Sequence, residues 1–123
     1  MELRIKSNST TLQVKSAFAN QFSGLKIEFF HKSHKEQEGS PKKDIVEDDV
    51  PLTSLNENLN AHEINITINQ TVSKVEETFE TEFGLHVQVF RMMGRIWIET
   101  TRTDGYTLQE QMDLSADSLK SYA

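Results

Sequence analysis

The stretch ELRIKSNSTTLQVKSAFANQF, residues 2–22, lies over EINITINQTVSKVEETFETEF, residues 63–83, when the chain is slid by 61 positions. Ile5 then meets Ile66, Asn8 meets Asn69, Thr10 meets Thr71, Val14 meets Val75, Phe18 meets Phe79 and Phe22 meets Phe83. After a one-residue insertion at Ser23, Gly24 and Leu25 meet Gly84 and Leu85, and Phe30 meets Phe90. About a third of the aligned positions are identical, and the gap falls at a turn. A match over one period predicts a duplicated supersecondary unit; a solenoid needs about three repeats.

Each half reads strand, helix, strand. Leu3 and Ile5 alternate with charged residues, as do Ile64, Ile66 and Ile68 with polar ones, which is the pattern of a half-buried strand. Thr10 and Gln13 fit a capping box at a helix start, and Thr71 is the equivalent start in the second half. Val14, Phe18 and Phe22 recur at helical spacing, and so do Val75, Phe79 and Phe83. Gly24 and Gly84 stand where a helix C-terminus favours a left-handed residue. The alternating runs LKIEFF and LHVQVF follow.

The second half gains a hairpin. A two-residue turn at Met93-Gly94 would set Phe90 against Trp97, Val89 against Ile98 and Arg91 against Ile96, although Met is a poor choice for positive φ. RIWIETT then gives a strand, Asp104-Gly105 a turn, and Thr107 with Glu110 the cap of a short helix. The half-repeats span 2–31 and 63–91, the hairpin extension 92–101, and the whole chain is one domain of 123 residues. The connection 32–50 is polar, contains Gly-Ser-Pro and reads as mobile. VPLTSLNENL carries Leu52, Leu55 and Leu59 at helical spacing and reads as a short docked helix. The tail 115–123 has few apolar anchors and reads as loose.

Two βαβ halves in tandem predict an α+β domain of the ferredoxin-like kind, with a mixed sheet of about five strands and both helices on one face. That face collects Leu3, Ile5, Leu25, Ile27, Phe29, Ile64, Ile66, Leu85, Val87, Val89, Ile96 and Ile98 as the core.

FGLHVQVFR, GRIWIETT and TDGYTLQEQ in the second half, with LKIEFFHKSH and KKD in the first, resemble an uncharacterised family of small proteins from Bacteroidetes-type bacteria. The resemblance covers most of the chain. It implies a lineage and a compartment, and it carries no catalytic or binding residue.

Composition narrows the chemistry. With no cysteine there is no disulfide, thiolate nucleophile or Cys-ligated zinc. The start MELRIKSNSTT lacks the apolar run of a secretory signal, and no run approaches a membrane-spanning length, so a cytoplasmic location without membrane contact is expected. A formal net charge of −6 argues against bulk attraction to nucleic acid. His31 and His34 form H-x-x-H without an obvious third ligand, so no metal site is expected. The acidic run from Asp44 to Asp49 lacks the glycine and distant glutamate of a calcium loop. Glu76, Glu77, Glu80 and Glu82 read as the outer faces of a helix. No nucleophile elbow or phosphate-cradling glycine loop is present, and no cofactor is implied; an enzyme would need a deep pocket that no motif announces.

One constellation points to binding. On the sheet side away from the helices, alternation places Arg4, Lys6, Lys26, Glu28, Phe30, Asn65, Thr67, His86, Gln88, Phe90, Arg95, Trp97 and Glu99. Phe30, Phe90 and Trp97 are large rings among basic residues, so Trp97, Phe90, Phe30, Arg4, Lys6, Gln88 and Arg95 are the candidate binding residues. Rings on a wet sheet face call for cover: by the Leu52–Leu59 stretch, by a partner protein or second copy, or by stacked bases of single-stranded nucleic acid. The strand motifs of RNA-recognition modules are absent. The leading expectation is a non-catalytic protein-interaction domain, with weak single-stranded nucleic-acid binding as the alternative and an enzyme third.

Overall fold

The computed structural model describes residues 1–31 and 42–120. The chain is α+β, with strands β1 (Glu2–Arg4), β2 (Leu25–Phe30), β3 (Glu63–Asn65), β4 (His86–Met93) and β5 (Ile96–Glu99). The α-helices are α1 (Thr11–Gln21), α2 (Val72–Phe83) and α3 (Leu108–Lys120). The helix starts follow their capping chemistry. Thr10 accepts from the Gln13 amide while Gln13 Oε1 accepts from the Thr10 amide, and Thr71 accepts from the Lys74 amide. Gly84 ends α2 at φ 63°, a left-handed conformation that costs glycine little.

The strands do not form the single mixed sheet expected from the sequence. They form two antiparallel sheets, β1–β3 and β2–β4–β5. A ferredoxin-like order would set β1 and β3 between β2 and β4; here β2 pairs directly with β4. Alternation fixes which side of a strand is buried but is silent on which strand lies beside it.

Both pairings have a common form. In β1–β3, Leu3 lies opposite Ile64, the residue it overlies at the 61-residue offset. In β2–β4, Glu28 lies opposite Gln88, its equivalent at the 60-residue offset after the insertion. Each strand therefore pairs with its own counterpart, centred on equivalent residues, as a two-fold axis requires. The loops extend the correspondence. Thr10 bridges Pro51 and Thr71 bridges Thr107. The Leu52 amide donates to Ser9, and the Leu108 amide to Gln70. Val46 donates to the Phe29 carbonyl, and Thr100 to Val89.

One hydrophobic cluster joins the halves. Phe18 and Phe22 of α1, Phe79 and Phe83 of α2, and Leu25, Ile27, Phe29, Val87 and Val89 of the sheet are all buried in it. Phe79 meets Phe29 edge-on at 6.3 Å between centroids. Ile96, expected in the core, is 62% exposed.

Two segments differ from their sequence reading. Residues 32–41 of the connection lie outside the described residues; within 42–50 the chain is largely exposed but held at two points, Val46, which is buried, and Asp49, whose Oδ1 accepts from the Leu12 amide at 3.0 Å. This bond, with help from Thr10 and Thr11, lowers the Asp49 pKa below the usual aspartate value. The tail expected to be loose from 115 is helical through Lys120, with Ser115 buried; residues 121–123 lie outside the described residues. The Leu52–Leu59 stretch forms one 3₁₀ turn, Leu52–Ser54, and Asn56 Nδ2 donates to the Phe83 carbonyl at 2.8 Å.

Candidate interaction surface

The β4–β5 hairpin turns at Gly94-Arg95, one residue later than the sequence suggests. Met93 pairs with Ile96, Met92 with Trp97, Arg91 with Ile98 and Phe90 with Glu99. Gly94 takes φ 61°, which would be strained for Met93, so glycine selects the turn position. The shift moves every partner by two residues. Each side chain keeps its side of the sheet, but Phe90 and Trp97 become diagonal neighbours rather than a facing pair.

What joins them is a cation. Lys26 Nζ lies 5.3 Å from the Phe90 centroid and 4.8 Å from that of Trp97. Lys26 faces Phe90 across β2–β4, which positions its ammonium over both rings. Trp97 stays 39% exposed. Of the candidate residues, Trp97 and Phe90 are thus brought together, and Arg95 lies in the turn, two residues before Trp97.

The other four are elsewhere. Phe30 is buried and lines a small cleft with Ser54 and Leu55, so the Leu52–Leu59 stretch reaches Phe30. Gln88 is fully buried, its Nε2 donating to Glu76 Oε2 of α2 at 3.2 Å. Arg4 and Lys6 belong to the β1 end of the molecule; Arg4 pairs with Glu63 at 3.6 Å, and both line a groove with Ser9 and Gln13. Among the described residues of the three-stranded sheet, that face is therefore covered at Phe30 and Gln88 and exposed at Trp97. α1 reaches it through Lys15–Glu28 at 2.8 Å, and α2 through Glu76–Gln88 and Glu80–His86.

Two polar groupings escaped the sequence reading. Glu76 is buried, and its Oε2 also accepts the Val89 amide at 2.8 Å, at the edge of β4 beyond the end of β5. Arg91 is buried and its Nη1 donates to Gln111 Oε1 of α3. Burial pushes its pKa below the usual guanidinium value, partly offset by Tyr106. The sequence carried a signal for Arg91: it continues the inward alternation of Val87 and Val89. Glu76 carried none, because a helix side that meets a strand edge is invisible until the strands are placed.

A groove of about 260 Å³ lies beside α2, lined by Ser73, Glu76, Glu77, Glu80, His86, Val87 and Asp104. His86 Nδ1 and Glu80 Oε1 are 2.7 Å apart within it. Among the described residues, no group of three or more His, Cys, Asp or Glu side chains could hold a metal ion. His34, of the H-x-x-H pair, lies outside them. No described helix is long and apolar enough to cross a membrane. The chain matches no family model, no curated protein and no solved structure.

Proposed function

We propose that this chain is a non-catalytic protein-interaction domain whose contact surface is the outer part of the β4–β5 hairpin. The observation that carries the reading is Trp97, the only tryptophan of the chain, 39% exposed on an edge strand beside Ile96, 62% exposed. Stability alone accounts poorly for a large ring there. A cation–π contact at an exposed site contributes about 0.5–1 kcal/mol, which a smaller side chain would forgo at little cost to folding. A partner that dehydrates the ring gains far more from it.

The single-stranded nucleic-acid alternative keeps less support. Phe30 and Gln88 are buried, and the Lys26 ammonium already lies over the two remaining rings. A cytoplasmic location and the Bacteroidetes-type resemblance rest on the sequence alone.

We also read the two halves as a tandem duplicate. The paired counterparts Leu3–Ile64 and Glu28–Gln88 support this, together with the matching bridges Thr10–Pro51 and Thr71–Thr107. A relation to ferredoxin-like folds rests on the shared β-α-β-β-α-β order alone.

Acrylamide quenching of the single tryptophan tests the surface. Dilute protein should show an accessible Trp97, and Trp97→Ser should fold with nearly unchanged stability. A ring shielded in a dilute monomer would remove the reading. A labelled oligonucleotide bound at low salt, and released steeply as salt rises, would favour the nucleic-acid alternative.

A further inference from the structure

We propose that β5 is a self-association edge: two copies pair β5 against β5, antiparallel about a two-fold axis at Trp97, so that two three-stranded sheets become one. The inference rests on the reading of the hairpin as a contact surface and names its occupant.

The backbone direction comes first. The Met92 amide donates to the Gly24 carbonyl at 2.8 Å, so Met92 points toward β2. Main-chain groups alternate sides along an antiparallel strand. Arg91 and Met93 therefore point toward β5, and their partners Ile98 and Ile96 point back. The N–H and C=O of Trp97 point outward, and among the described residues no backbone group meets them. β5 is the outer strand of its sheet. Edges of this kind are usually blunted by charged side chains, proline or a bulge; Ile96–Glu99 reads IWIE, with no proline or lysine and its one charge at the strand end.

The residues then select a partner. An antiparallel pairing centred on Trp97 joins outward groups to outward groups, because positions 95, 97 and 99 share one direction. It sets Arg95 of each copy opposite Glu99 of the other, twice by symmetry. It sets Ile96, 62% exposed, opposite the second copy's Ile98, and brings the two Trp97 rings together on the Lys26 side. Moving the centre by one residue loses both charge pairs. A strand whose ends carry opposite charges at equal distances from an exposed tryptophan is complementary to itself, which is what an isologous interface requires. Arg95 and Glu99 also have contacts within their own monomer, so substitutions there need a check of folding.

The test uses the full chain. Sedimentation velocity over a concentration series should show monomer giving way to dimer, and Trp97 should become protected from acrylamide over the same range. Glu99→Arg and Arg95→Glu should each raise the dimer Kd roughly tenfold or more, since each creates two like-charge contacts. Mixed one to one, these two variants should restore the dimer, because the centred register sets arginine against glutamate at both ends. Circular dichroism confirms that each variant is folded. Ile96→Lys, at a position already exposed, should disrupt the dimer independently. A dimer indifferent to all three substitutions, or two charge variants that fail to recombine, would overturn the register. A monomer at every concentration with Trp97 accessible would overturn self-association and leave the hairpin as a surface for a foreign strand. A monomer with Trp97 protected would overturn both readings.

Discussion

Removing the Glu76 carboxylate should unfold this protein more readily than its place on a charged helix suggests. Glu76 Oε2 accepts two donors, the Val89 amide at 2.8 Å and Gln88 Nε2 at 3.2 Å. Val89 and Gln88 are fully buried, so water cannot replace the lost acceptor without local opening. A buried donor left without a partner costs about 1–3 kcal/mol. Two such donors, one on a side chain able to reorient, put Glu76→Ala at about 2–4 kcal/mol. Urea unfolding followed by far-ultraviolet circular dichroism reads this directly. With a slope of about 2 kcal/mol/M the midpoint should fall by about 1–2 M. Glu76→Gln keeps an oxygen for Val89 and should cost less. Adding Gln88→Leu to Glu76→Ala removes one orphaned donor and should recover part of the loss, a non-additivity expected of contacting residues. A Glu76→Ala protein within about 0.5 kcal/mol of the parent would refute the reasoning, since it would mean that the β4 edge does not depend on this carboxylate.

Phe79→Ala should cost about 3–5 kcal/mol in the same assay, because the ring is fully buried against Phe29 and Phe83; a change near zero would place α2 in the wrong phase. Gly24→Ala should destabilise clearly, since Gly24 has φ 82° and an added Cβ would meet the Ser115 side chain; Ser115→Ala should relieve only part of the loss, because the left-handed backbone remains. Asp49 should titrate below the usual aspartate range by NMR, its carboxylate held by the Leu12 amide. A depressed folded-state pKa contributes stability above the unfolded value and loses it as pH falls through the folded one. Asp49→Ala should therefore lower the urea midpoint at neutral pH and make no difference in strong acid; an equal loss at both would contradict the charge-based account.

The residues that met the core were legible because burial is periodic. Val14, Phe18 and Phe22, their counterparts Val75, Phe79 and Phe83, and the inward residues of β2 and β4 all lie where spacing alone puts them. The capping of α1 by Thr10 and Gln13 was legible for a different reason, as local chemistry within four residues. Strand neighbours were not, because the periodic signal of β2 is the same beside β3 or beside β4. That gap carried through to the site. Gln88 and Phe30 alternate outward in sequence, yet α2 and the Leu52–Leu59 stretch reach that side through Glu76 and Leu55. Trp97 and Phe90 survived as surface partners because the hairpin shift was even-numbered. Lys26, rather than Arg4 or Lys6, proved to be the cation at the rings.

The correspondence between halves indicates where function would lie. Lys15 and Glu76 occupy equivalent positions at the 61-residue offset, and they meet Glu28 and Gln88, which are themselves equivalent and face each other across β2–β4. One half closes this contact with an ion pair and the other with a carboxylate held by amide donors, so the axis passes through a polar joint solved twice with different side chains. Among the described residues, the edges are not matched in this way. Outside β2, Ile45 and Val46 make one bridge and one amide bond. Outside β4, the corresponding segment is a full strand with Ile96 and Trp97 exposed. Beyond the bridges, Leu52 starts a single 3₁₀ turn where Leu108 starts the 13-residue helix α3. α3 secures the hairpin, with Gln111 on Arg91 and Ser118 Oγ on the Gly94 amide. Among the described residues, the second half thus builds one strand outward and braces it with α3. Ser118→Ala tests whether the brace serves the edge. It removes one bond at the turn, so global unfolding should move by about 1 kcal/mol or less, while amide exchange at 94–97 should quicken and the concentration-dependent protection of Trp97 should weaken. Unchanged exchange at the turn would separate α3 from the hairpin and leave the long helix without a role in presenting it.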